Sequence, residues 1–223
     1  MPGRNIPLVT NEVYHVVNRG VASQPVFLGK KDYLRGLETI FYYQNQRASL
    51  RYSFFLRQPA KERKQLLEKL GKDGKILVEI IAFCLMPNHV HLLLKQCQEN
   101  GISTFMSNFT NSYTRWFNTI HKRYGPLFQG KFKAVRVETN EQLIHLSRYI
   151  HLNPYSSYVV KKIDDLSRYF YSSLPEYCVD QEGRCKRDLI MNNFKSPSFY
   201  KEFVFDQADY QRRLQEIKHL VFE

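Results

Sequence analysis

Cysteine is scarce and poorly spaced for cysteine chemistry. The four present (Cys84, Cys97, Cys178 and Cys185) form no C-x-x-C pair, which argues against a zinc cluster or a disulfide framework and for a reducing compartment. No apolar run reaches the roughly 18 residues that a membrane span needs. Met1 to Thr10 lacks the apolar core of a secretory signal. Ten glycines and nine prolines in 223 residues are too few for a collagen-like or low-complexity chain. Acidic residues are also in deficit: 21 Asp and Glu face 33 Lys and Arg, a net charge of +12. Such a surplus costs self-repulsion and raises the local concentration of polyanions.

Aromatic residues accompany the charge. Sixteen Phe, fifteen Tyr and one Trp interleave with the cations, a mixture suited to unpaired bases and phosphates. With 43% hydrophobic residues the chain is globular, of a length for one large domain or one domain with an appendage.

The pattern along the chain predicts a strand over 12–18, followed by a helix from Lys31 to Gln46 with Leu34, Leu37, Ile40, Phe41 and Gln44 at helical spacing. Residues 47–75 turn polar and end near Gly71 and Gly74, reading as a helical insertion. Ile76 to Met86 is nearly continuously apolar, the pattern of a strand covered on both faces. Pro87-Asn88 turns the chain into a second strand, His89 to Gln96. Ile102, Phe105, Met106, Phe109, Tyr113, Trp116, Phe117 and Ile120 mark a long amphipathic helix whose stripe is assigned to packing. A strand lies within Leu127–Val137. Thr139 and Gln142 then open a capped helix with Leu143, Leu146 and Ile150 as its buried stripe. Pro154 is expected to end it, leaving Tyr155 off the helix. A final helix is expected from Asp206 to Val221. Residues 155–223 read as a C-terminal extension. The first six elements match an α+β, ferredoxin-like βαββαβ sheet with helices on one face.

Two constellations carry chemistry. His89 and His91 alternate on a strand, so they share a face while Val90, Leu92 and Leu94 take the other. Two such imidazoles either bind a divalent metal or pack as a core pair. Tyr149 and Asn153 lie one helical turn apart. An amide oxygen is a hard ligand, and a phenol beside a metal-held phosphate is a nucleophile, although packing is the commoner fate of a helical tyrosine. His145, one turn earlier, either orients or deprotonates that phenol or, as the commoner outcome, only caps the cluster. His15, on an apolar strand, reads as a core histidine; His121, His151 and His219 receive no role.

Four segments then resemble one family: Tyr14-His15-Val16-Val17-Asn18-Arg19-Gly20, Met86-Pro87-Asn88-His89-Val90-His91-Leu92-Leu93, the stretch from Gly125 to Ala134, and Arg148-Tyr149-Ile150-His151-Leu152-Asn153-Pro154. The resemblance is to the IS200-like Y1 (HUH) transposases, in particular the REP-associated tyrosine transposases of bacteria. It runs from about Val13 to Tyr177. It implies an HUH catalytic domain over 1–154, with His89 and His91 as metal ligands and Tyr149 as the nucleophile. Asn153 stands where the family places a polar third ligand, a glutamine in better-known insertion-sequence members. The implied cofactor is Mg2+ or Mn2+.

The implied reaction is cleavage and strand transfer of single-stranded DNA beside imperfect, REP-like hairpins, through a 5′-phosphotyrosine. The covalent link conserves energy, consistent with the absence of a Gly-rich phosphate loop. Arg19, Arg115, Lys131 and Lys133 fall in or near family-like segments and are candidate DNA contacts. The resemblance further implies a cytoplasmic, nucleoid-associated protein, with no membrane partner, acting as a monomer or homodimer. Two alternatives are a hairpin-binding protein that no longer mobilises DNA, and an HUH replication initiator or relaxase. The second class commonly carries more histidine, a second tyrosine near the nucleophile, or larger attached domains.

Overall fold

The computed structural model describes residues 7–46, 48, 51–72 and 75–221. Four strands, β1 (Val13–Arg19), β2 (Val78–Met86), β3 (His89–Gln96) and β4 (Lys133–Arg136), form one sheet in the order β2-β3-β1-β4, and every neighbouring pair is antiparallel. This is the expected ferredoxin-like arrangement. Each strand–helix–strand connection leaves one position between its two strands, which the other unit fills.

Period-two alternation decides what each face carries. Tyr14 and Val16 of β1 and Val90, Leu92 and Leu94 of β3 point into one apolar cluster. Helices α1 (Lys30–Tyr43) and α4 (Gly101–Ile120) close it with Leu37, Ile40, Phe105, Phe109 and Tyr113. The predicted stripes run slightly too far: Leu34 and Ile120 are exposed. The 47–75 insertion contains two helices, α2 (Tyr52–Phe55) and α3 (Ala60–Lys72). Gly71 lies within α3, and Gly74 falls outside the described residues.

The opposite face is covered by α5 (Asn140–Ser156). Strand β2 is indeed buried on both sides, because Cys84 and Met86 pack here while Phe83 and Leu85 pack against α1 and α4. Leu143 and Ile150 anchor α5 on Ala82, Leu93 and their neighbours. Its N-terminus is capped as expected: the Thr139 hydroxyl accepts from the Gln142 N–H at 3.1 Å. The Gln142 side chain reaches back to the Glu138 N–H at 2.9 Å, one residue before the cap.

Pro154 does not stop α5. The helix runs to Ser156 with the proline inside its last turn, so Tyr155 is helical. Proline lacks one donor there, and two bonds close the end: Ser157 N–H to the Asn153 carbonyl and Val160 N–H to the Pro154 carbonyl. Burial of Leu152, Tyr155 and Ser156 holds the turn in place.

Beyond α5 come α6 (Leu174–Tyr177), α7 (Asp188–Met191), α8 (Pro197–Asp206) and α9 (Ala208–Val221). The expected final helix is α9, which starts two residues later than predicted, and α8 before it carried no prediction. Leu174, Tyr177, Ile190, Tyr200 and Val204 join the same cluster as α5. All four cysteines are free thiols. Among the described residues, no helix is long and apolar enough to cross a membrane.

Candidate active site

The site begins at the β2–β3 turn. Strand pleat puts His89 and His91 on the α5-covered face, as their spacing predicts, with ring centroids 4.7 Å apart and Nε2 atoms at 2.9 Å. Nδ1 of His89 lies 2.6 Å from Oδ1 of Asn88, whose amide nitrogen donates to the Ser23 carbonyl. An amide oxygen only accepts, so the His89 proton sits on Nδ1 and its Nε2 keeps a lone pair. Nδ1 of His91 meets Nε2 of His15 at 2.9 Å, and these two rings stack at 5.2 Å. The network thus runs as a chain: His15 donates to His91, His91 to His89, and His89 to Asn88.

Burial keeps these rings neutral. It pushes the pKa of His15 and His89 down to about 4, with Arg19 adding to the effect at His89. His91 is held well below the ordinary value by burial, and then by His89, His15 and Arg19. Uncharged imidazoles are the donor chemistry that a divalent cation requires. His89 Nε2 has its lone pair free for one, and His91 Nε2 would join it once its proton moved to Nδ1. Among the described residues no three His, Cys, Asp or Glu side chains form a metal cluster. A cation here would rest on two imidazoles, with neutral oxygens, water or a ligand completing its shell.

Helix α5 brings Tyr149 onto this row. Its ring stands edge-on to His91 at 5.6 Å and to His15 at 6.2 Å. Burial raises the phenol's pKa above the ordinary value, while Asn153 and Arg19 pull the other way. Asn153 lies on the same helix face, buried, and its Nδ2 donates to the Tyr149 carbonyl at 2.9 Å. Gln211 of α9 donates to the same carbonyl at 3.2 Å. The C-terminal helix therefore grips the backbone of the tyrosine itself.

The candidate cations divide between the faces. Arg19 is opposite His89 in register, so it shares the histidine face. Lys133 is opposite Val17, which is opposite His91, and so lies on that face too, exposed on an edge strand. Lys131 is exposed two residues before β4. Arg115 belongs to α4, on the other side of the sheet.

His145 makes its contacts away from the phenol, so of its two expected roles the active one finds no support. Arg148 donates to its Nδ1 at 2.7 Å, Glu141 lies 3.9 Å from its Nε2, and Phe203 packs on its ring. Its ring thus faces α8. His15, read from the sequence as a core histidine, is hydrogen-bonded to His91 within the site, and Gln211 received no reading. The alternation of β1 opposes His15 to the buried Tyr14 and Val16, a signal available beforehand. Nothing in the spacing of Gln211 marks it.

Residues 45–153 match the family model described as "Transposase IS200 like". That span, just under half of the chain, is similar to the IS200-like transposase family and includes His89, His91, Tyr149 and Asn153. Among solved structures the chain is similar to a REP-associated tyrosine transposase bound to a REP hairpin, at 13% identity and a TM-score of 0.51, over 79% of this chain and 84% of that one. That likeness is one of fold. A candidate transposase from Deinococcus radiodurans R1 matches at 17% identity over 67% of this chain and 95% of its own, with a TM-score of only 0.36. No curated protein sequence matches.

Proposed function

We propose that this protein cleaves and rejoins single-stranded DNA beside hairpins, as a transposase of the REP-associated type, with Tyr149 as nucleophile. The observation that carries the reading is the meeting of elements distant in sequence: a helical tyrosine packed edge-on against a strand-borne pair of neutral histidines. His89 and His91 are the residues that would hold Mg2+ or Mn2+, with Asn153 as the candidate third ligand. When bound, such a cation supplies Lewis-acid polarisation of the scissile phosphate.

The chain's own residues do the rest. Arg19 and Lys133, on the histidine face, attract and orient the DNA backbone. Helix α5, gripped by Gln211, holds the phenol where it can reach phosphorus. The phenol gives up its proton, the Oη–P bond forms and the P–O3′ bond breaks. The departing 3′-oxygen takes up a proton, leaving a 5′-phosphotyrosine and a free 3′-hydroxyl. Strand transfer is the same exchange in reverse with another 3′-hydroxyl. His15 holds His91 in place within the histidine row.

Incubation with a 5′-hairpin oligonucleotide and Mn2+ tests this. The full chain should form a protein–DNA species that survives denaturing electrophoresis, and Tyr149→Phe should form none. Peptide mapping that finds DNA on any other tyrosine would sink the assignment. Tyr155 is helical, but its hydroxyl donates to Asp209 at 2.8 Å and its ring lies under Arg212, so it is committed to α9.

A further inference from the structure

The sheet face covered by α1 and α4 carries a groove that the chemistry above leaves unused. It has a volume of about 510 Å3 and opens between α1, α2 and α4, within the range of about 300–1,000 Å3 of small-ligand sites. Four arginines line it (Arg35, Arg51, Arg57 and Arg115), together with Trp116, the chain's one tryptophan. None of the described residues lining it is acidic.

Arg35 is the group that points to a ligand. It is only 6% exposed, and its guanidinium carbon lies 4.4 Å from the Tyr52 ring centroid and 5.7 Å from that of Trp116. Its Nε is buried without a hydrogen-bond partner. The charge of Glu38 acts on Arg35 from a distance, while its carboxylate accepts from the Tyr52 hydroxyl at 3.0 Å. A buried N–H donor without an acceptor is costly, and a ligand oxygen in the groove would supply one. Guanidiniums match phosphate oxygens in pairs, and an indole beside them offers a stacking face to any base. Amide and hydroxyl groups from Asn111 and its neighbours on α4 complete the wall. Trp116 packs on Tyr113 at 5.7 Å and beside Arg35, yet stays half-buried at the groove wall. A flat base matches an aromatic surface flanked by guanidiniums better than the side chains of an acidic peptide do.

We infer that this groove is a second, non-catalytic site for single-stranded DNA, with a base stacked on Trp116 and its flanking phosphates on Arg35, Arg51, Arg57 and Arg115. A strand held here lies across the sheet from Tyr149, so it is bound without being cut. The inference rests on the reading that this chain works on DNA.

The single tryptophan supplies the assay. The full chain is titrated in chelator with the oligonucleotide dT8, and Trp116 emission is followed. In parallel, fluorescence anisotropy follows labelled dT8 and a labelled hairpin. Saturable quenching by dT8 is expected. The double variant Arg57→Ser/Arg115→Ser alters exposed side chains only. It should keep the wild-type Tm, weaken dT8 about tenfold, and lower the salt slope of binding by about 1.4, at about 0.7 per single-strand phosphate contact. Trp116→Leu, read by anisotropy, should also weaken dT8 about tenfold. DNA binding with unquenched emission, or with undiminished affinity in the double variant, would overturn the groove while sparing the DNA reading. Failure to bind either oligonucleotide would remove both. Quenching by polyglutamate as strong as that by dT8 would overturn the proposal in favour of an acidic protein partner.

Discussion

Replacing His151 by glutamine should flatten the acid sensitivity of the fold by an amount that can be worked out beforehand. His151 sits on α5 two residues after Tyr149 and is fully buried. Its Nδ1 meets the Tyr200 hydroxyl of α8 at 2.7 Å and its Nε2 meets Ser173 Oγ at 2.8 Å. Tyr200 in turn donates to Ser147 of α5 at 2.9 Å, and Ser173 Oγ accepts the Phe83 N–H of β2 at 2.9 Å. One imidazole thus ties the tyrosine helix to α8 and to the sheet. Burial pushes its pKa from 6.5 down to about 3.

The sign follows from linkage. The folded state keeps the ring neutral while the unfolded chain protonates it near 6.5, so this contribution is fully present above pH 6.5. It is lost as pH falls toward 3. Between pH 7 and pH 5 the unfolded chain takes up nearly one proton that the native state refuses, over about 1.5 units below 6.5. At about 1.36 kcal/mol per unit, His151 alone removes about 2 kcal/mol. His151→Gln retains an amide donor and acceptor but cannot titrate. Urea unfolding at both pH values checks this. The stability gap between wild type and variant should narrow by about 2 kcal/mol on going from pH 7 to pH 5. An unchanged gap would mean that His151 is protonated or solvated in the native state, and the buried network would be wrong.

Other outcomes follow from the site. His89→Ala or His91→Ala should abolish cleavage and the covalent adduct, while hairpin affinity by anisotropy stays within a few-fold, since phosphate attraction comes from the wider basic surface. Cleavage of a cognate hairpin in excess chelator would refute the metal role. Asn153→Ala should slow cleavage less than either histidine change, because water can replace one neutral oxygen; equal severity would show that its bond to the Tyr149 carbonyl matters more. Gln211→Ala removes a bond to that same carbonyl and should cost about 0.5–1.5 kcal/mol by urea unfolding. It should slow adduct formation without changing hairpin affinity. Thr139→Ala should cost about 1 kcal/mol through the lost cap of α5.

Much of the architecture was legible before any coordinates. The doubly buried run ending at Met86, the His-x-His at the start of β3 and the Thr139–Gln142 cap are local signals, and each led to the right element. The misread end of α5 is instructive. Pro154 is a breaker in isolation, yet bonds from Ser157 and Val160 and the burial around Tyr155 carry the helix past it. The last helix stands where it was expected, starting at Ala208 rather than Asp206 because α8 ends at Asp206. The segment 155–223 lacks a strong period, because its short helices are organised by aromatic contacts among Tyr177, Phe194, Tyr200 and Phe203 rather than by their own amphipathicity.

By itself the sequence determined the strand alternation that sets His89 and His91 on one face, the helical turn that joins Tyr149 to Asn153, and the charge surplus. These depend on periodicities of 2 and 3.6 residues and on composition, which need no partner to be read. Only the tertiary structure decided that Tyr149 lies against His91, that His15 completes the imidazole row, and that Arg115 turns away from that row. It also decided that Gln211 reaches back 62 residues to the Tyr149 carbonyl. Each of those placements depends on which element covers which face of the sheet. That is settled by competition for buried area among all the helices at once, and no single window of the chain contains it.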